Sequence, residues 1–259
     1  MFPRLSGARS GALALAAAGP LFVLYPTVRP WHDESTLAGA MKSMSSDAWV
    51  SAHLFAMLGL ILVPLGLLGV HRLLEPTKGD ALGWAAAATA WVGAGLTLPY
   101  YGAEDFALHA IARSAAAGRG TDLLGLVHDI RFNPVMTTMA AAGLLLLGLG
   151  GILTSAAIWR AGTLPRWSGV LFAVGLLLYI PQFYLPEWAR IAHGVLLGIS
   201  SMWLAAAMWS ASRRTPAAQP APIAPNAPGR SSPGRPVPPA PSPAGGRADD
   251  TATASAAGR

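Results

Sequence analysis

Two histidines at matched depth are the sharpest chemical feature of this sequence. His53 stands four residues beyond Trp49, and His193 stands five beyond Trp188. If both tryptophans mark the same bilayer surface, each imidazole lies ~6–8 Å below it along its helix. Imidazoles that meet across a helical bundle can ligate haem iron from both sides, which makes haem b one candidate cofactor. A divalent metal is the other. A tetrahedral site needs further ligands, and Glu104, His109 and Glu187 are the candidates. Gly194 and Gly198, continued by Ser201 and Ala205, form a small-residue stripe beside His193. Such a stripe admits a flat macrocycle or a closely packed helix. The plainer reading, which we favour, gives each histidine its own hydrogen bond to a neighbouring backbone.

The remaining polar patterns are less pointed. His71 lies 18 residues after His53, five helical turns on. No other histidine falls near the inner surface, so the chain can assemble at most one bis-histidine site. At a helix C-terminus beside Arg72, His71 reads as an interfacial residue whose positive charge suits the helix dipole. Asp105, His109 and Arg113 recur at i, i+4, i+8 and predict one face of a solvated surface helix. No H-E-x-x-H, phosphate-binding glycine loop, dinucleotide fingerprint or G-x-S-x-G elbow occurs, so no catalytic motif is found. The absence of cysteine excludes disulfides and thiolate chemistry.

The elements that must position these residues are apolar. The chain is 53% hydrophobic and 12% charged, about half the charged share usual in soluble domains. A bilayer crossing needs ~20 mostly apolar residues. Six stretches qualify: Gly11–Val28, Trp49–Val70, Ala81–Tyr101, Pro134–Trp159, Trp167–Leu185 and Trp188–Trp209. Lipid offers backbone groups no partners, so each must satisfy its own as a helix. The expected fold is all-α, an integral membrane bundle of six transmembrane helices. Arg4 and Arg9 before the first apolar run also suit a signal peptide, but no small-x-small cleavage site follows, so a retained first helix is expected.

Asn133-Pro134 predicts an N-cap with proline at the first helical position. Glu75–Asp80 and Gly162–Pro165 read as tight turns between antiparallel helices. The connection from Gly102 to Phe132 is long enough to be partly helical. Pro20, Pro64, Pro99 and Pro181 can kink their spans. Trp91 and Trp203, at mid-span, are expected to be packing residues.

Charge orients the bundle. With the N-terminus inside, eight Lys/Arg fall on the inner segments and six on the outer loops, where eight Asp/Glu outnumber them. The positive-inside rule then places both termini in the cytoplasm. The expected address is the cytoplasmic membrane, with the lipid bilayer as the evident partner. A protein partner or homo-oligomer is compatible. The net charge of +6 is no sign of nucleic-acid binding, because no basic cluster interleaved with aromatics occurs. Residues 1–10 form a short cytoplasmic N-terminus and 11–210 the membrane domain. Eleven prolines between Pro216 and Pro243 mark 211–259 as a disordered cytoplasmic tail that cannot bury a core.

The segments Trp49-Val50-Ser51-Ala52-His53, Leu164-Pro165-Arg166-Trp167-Ser168-Gly169 and Arg190-Ile191-Ala192-His193-Gly194 resemble uncharacterised multi-pass membrane proteins common in GC-rich bacteria. The resemblance implies a fold and a membrane address and carries no reaction. The leading functional reading is a non-enzymatic accessory or interaction protein. The alternative is a haem- or metal-binding membrane protein with a site on the outer side, and a third reading is a small-molecule transporter.

Overall fold

The computed structural model describes residues 2–214, with side chains from Leu5 onward. The proline-rich tail beyond Arg214 lies outside the described residues. Within them the chain is helical and contains no strand. The elements are α1 (Phe2–Val28), α2 (Leu37–Met44), α3 (Asp47–Leu74), α4 (Asp80–Gly102), a π-helical turn (Ala103–Ala107), α5 (Leu108–Ala116) and α6 (Leu123–Arg131). They continue with α7 (Pro134–Ala161), α8 (Arg166–Leu177), a 3-10 turn (Pro181–Tyr184) and α9 (Glu187–Arg214).

Five helices are long and apolar enough to cross a membrane: α1, α3, α4 with its continuation to Ala116, α7 and α9. Packing runs α1–α3–α4–α7–α8–α9 and closes back on α1, so sequence neighbours are spatial neighbours around the bundle. Short connections enforce that order. Asn133 accepts from the amides of Val135 and Met136 at 3.1 Å and caps α7, with Pro134 at its first position. Gly162, at φ 66°, ends α7 in the left-handed region that favours glycine.

Small residues set the helix spacing. A methyl placed on Gly11 would lie 2.5 Å from Cα of Gly69, so α1 and α3 meet backbone to backbone. The stripe of α9 is used the same way. A methyl on Gly198 would lie 2.6 Å from Val23 and 2.8 Å from the Gly19 carbonyl, and one on Gly194 would lie 2.6 Å from the Phe22 carbonyl. The wall beside His193 is therefore occupied by α1. Larger apolar residues fill the interior, among them Leu15, Leu60, Leu67, Leu147 and Phe172.

The outward faces are equally apolar, with Leu13, Leu58, Leu145 and Ile199 all exposed. A helix apolar all round suits a lipid surround. Trp91 belongs to that outer surface at 63% exposure, which corrects its expected packing role. Trp203 is also exposed.

The fifth apolar stretch departs from the expected continuous helix. α8 stops at Leu177, four residues before Pro181. A proline ring clashes with the carbonyl four residues back and supplies no amide. Twelve residues give ~18 Å of helix against a hydrocarbon core of ~30 Å. The chain continues through a turn and the 3-10 segment, so Thr163 lies beside Pro76 and Arg214 while Phe183 lines a cavity with Arg29. Residues 163 to 183 thus connect the two ends of the bundle.

The end opposite the tight turns is capped by α2, α5 and α6. Their apolar faces, with Trp49 of α3, form a second small core of Ala40, Met44, Leu108, Ala112, Leu123 and Val127. Thr36 and Asp122 cap α2 and α6 by accepting from the Gly39 and Gly125 amides.

Candidate functional site

Beneath this cap the bundle opens into a cavity of about 350 Å³, lined from eight segments of the chain. α1 ends there and delivers Tyr25 and then Arg29. The following loop brings Trp31 and Glu34, α3 contributes His53, and α4 contributes Tyr100 and Tyr101. The π-helical turn supplies Glu104, α6 ends in Arg131, the 3-10 turn places Phe183, and α9 begins with Arg190.

A chain of ion pairs frames one side. Arg29 Nη2 donates to Glu34 Oε1 at 2.6 Å, and Arg131 Nη1 lies 2.8 Å from Glu34 Oε2. Arg131 also grips Glu104 through two bonds, Nε to Oε1 at 2.7 Å and Nη2 to Oε2 at 2.9 Å. Burial alone would lower the Arg131 guanidinium, but the Glu104 and Glu34 carboxylates outweigh it and hold its pKa above the ordinary range. Guanidinium planes stack on indoles here. Arg29 lies 4.4 Å from the Trp31 ring and 4.9 Å from that of Trp49, and Arg190 lies 5.3 Å from Trp31. Trp49 Nε1 donates to the Glu104 carbonyl at 2.8 Å, tying α3 to the π-helical turn.

His53 is buried on the cavity wall. Its Nδ1 lies 2.8 Å from the Trp49 carbonyl. A carbonyl can only accept, so Nδ1 carries the proton and the neutral ring presents Nε2 as an acceptor. Trp49 packs at 4.3 Å between ring centroids, with Tyr25 at 5.7 Å and Tyr101 at 6.3 Å.

His193 lines a separate, narrower cleft of about 10 Å³ bounded by Phe22, Tyr179 and Leu197. Its Nε2 donates to the Gly175 carbonyl at 2.8 Å. That carbonyl is free for a physical reason. Beyond Leu177 the chain tightens, and the Tyr179 amide bonds Leu176 rather than Gly175. Arg190 serves the same broken segment, donating through Nε to the Leu185 carbonyl at 2.9 Å and through Nη2 to the Phe183 carbonyl. Non-helical backbone shielded from water needs such protein donors.

Of the other anticipated ligands, Glu104 reaches the cavity with both carboxylate oxygens held by Arg131. His109 joins α5 to α2 through Nδ1 and the Met44 carbonyl at 2.8 Å. Glu187 is exposed in the first turn of α9. Among the described residues no group of three or more His, Cys, Asp or Glu side chains gathers as a metal site would.

Asp105, His109 and Arg113 do not share a solvated face. Asp105 falls in the π-helical turn, whose extra residue per turn shifts it out of register. It is fully buried and neither carboxylate oxygen has a hydrogen-bond partner. At the other end of the bundle, His71 lies 3.3 Å from Asp80 and 3.8 Å from Glu75, an interfacial arrangement at the α3 C-terminus.

Arg29, Arg131 and Arg190 are cavity-lining side chains that sequence reading did not single out as site residues. One local signal existed for the first of them, Arg29 and Glu34 five residues apart on either side of Trp31. Compared with known proteins, the chain matches no family model, no characterised protein and no solved structure.

Proposed function

We propose that this chain is a six-span protein of the cytoplasmic membrane, with both termini in the cytoplasm, that acts without catalysis as a receptor or accessory subunit by binding a small molecule in the capped cavity on its outer side. The observation that carries this reading is the cavity itself, walled by aromatics and fixed by the Arg29–Glu34–Arg131–Glu104 chain. Binding sites are concave, largely preformed and furnished with a few fixed polar groups, and those ion pairs hold the wall in place without a ligand.

The sixth crossing is the α8 segment. Its helix adds to about six further residues at ~2 Å each, enough to bring the path near 30 Å. The charge distribution supports the orientation: the end with the tight turns carries the basic excess and the capped end the acidic residues. The haem or metal reading keeps one support, the unengaged Nε2 of His53 on the cavity wall, and visible absorbance with metal analysis of the purified protein tests it.

Reporter fusions test the topology. Fusions after Lys78, Gly162 and Arg214 should report cytoplasm, and those after Lys42 and Arg119 the exterior. A cytoplasmic signal after Arg119 would overturn the orientation or the number of crossings, and with it the outward-facing cavity.

A further inference from the structure

The charge balance of the cavity points to the class of its ligand. Three guanidiniums line it and only two carboxylates. Arg29 and Arg131 are matched by Glu34 and Glu104. Arg190 has no carboxylate within ion-pair distance among the described residues. Its contacts are the Leu185 and Phe183 carbonyls, made by Nε and Nη2, which leave Nη1 uncommitted. A partly buried guanidinium offers planar donors suited to a carboxylate or phosphate oxygen. Close by, the buried Tyr101 hydroxyl makes no hydrogen bond of standard geometry, and the Tyr25 and Tyr179 phenols are its polar neighbours. A hydroxyl sealed from water in this state costs free energy until an acceptor arrives. Tyr25, Trp31 and Phe183 supply apolar wall, and about 350 Å³ is near the small end of the usual ~300–1,000 Å³ range for ligand sites.

Resting on the small-molecule reading above, we propose that the cavity takes an organic monoanion. One oxygen of its charged group lies on Arg190, and the apolar body lies against the aromatic wall. The Tyr101 hydroxyl donates a second hydrogen bond. A cation would meet an unmatched positive charge, and a neutral ligand would leave that charge unanswered. The same oxyanion can reach the cavity on a soluble carboxylate or on an anionic lipid headgroup.

The test uses the full-length protein in phosphatidylcholine nanodiscs, read by tryptophan fluorescence, since Trp31 and Trp49 stack on the site's arginines. Benzoate should give saturable binding and benzamide at least about tenfold weaker binding, which is ~1.4 kcal/mol. Arg190→Gln should weaken benzoate by about tenfold or more. Because Arg190 also holds two carbonyls, Tyr101→Phe supplies a variant that removes one donor and leaves those carbonyl bonds in place. It should weaken benzoate roughly threefold to tenfold and leave benzamide unchanged. A fluorescence change caused by phosphatidylglycerol in the discs, lost in Arg190→Gln, would support the anion site and assign its source to lipid. Benzamide binding as tightly as benzoate would overturn the anion assignment and leave the cavity reading standing. If neither compound saturates and phosphatidylglycerol has no effect, both readings fall.

Discussion

Arg131 is the residue on which the capped end depends most. Its guanidinium joins two carboxylates that come from the first loop and from the π-helical turn, and it stacks at 5.9 Å on Trp49. Removing one member of a largely buried ion-pair chain leaves the others desolvated and unmatched, at a cost of about 3–5 kcal/mol. Arg131→Gln should therefore lower the thermal midpoint in detergent clearly. The double variant Arg131→Gln with Glu104→Gln should recover part of that loss, because it no longer strands a charge. A single variant as stable as the native protein would show that this chain of pairs does not hold the cap. The residue types were readable in the sequence, but their partnership was not. Arg131 and Glu104 are 27 positions apart, on elements with no shared periodicity, so no local pattern links them. The histidines show the converse. His53 and His193 stand out by spacing, yet each is engaged by a carbonyl whose availability depends on local backbone geometry.

At the scale of elements, the interruption after α8 and the small-residue contacts govern the bundle. α8 ends four residues before Pro181, and the freed carbonyls of the following turn find donors on α9. His193→Leu would strand the Gly175 carbonyl in an apolar setting, an expected loss of about 1–3 kcal/mol. His193→Gln, which retains a donor, should lose less. Equal losses for the two variants would show that the ring's packing against Tyr179, at 5.3 Å, matters more than its hydrogen bond. The starts of α3, α4, α7, α8 and α9, the N-cap at Asn133 and both tight turns were legible from hydropathy and turn residues, because each depends on a few adjacent positions. The shortening of α8 was only half legible. Pro20, Pro26, Pro64 and Pro99 remain inside continuous helices, whereas Pro181 ends one, and proline alone does not say which will happen. At Pro181 a neighbouring helix supplies donors for carbonyls of the broken segment.

For the whole molecule, the closed order α1–α3–α4–α7–α8–α9 makes the bundle self-sufficient. α9 ends at Arg213 and Arg214, basic residues suited to a helix C-terminus. The sequence beyond them has no periodic apolar face. Truncation after Arg214 should leave membrane insertion and the thermal midpoint in detergent unchanged, and a marked drop would show that the proline-rich segment packs on the bundle. The sequence by itself determined that this is a helical membrane protein, because the cost of unpaired backbone in lipid translates composition directly into helices. It also fixed where five of the long helices lie and that the polar chemistry gathers at one end. Only the tertiary structure decided which polar residues meet. Ion pairs and cavity walls join positions tens to more than a hundred residues apart. Their distances follow from helix crossings set by glycine contacts and one proline break, which hydropathy does not encode.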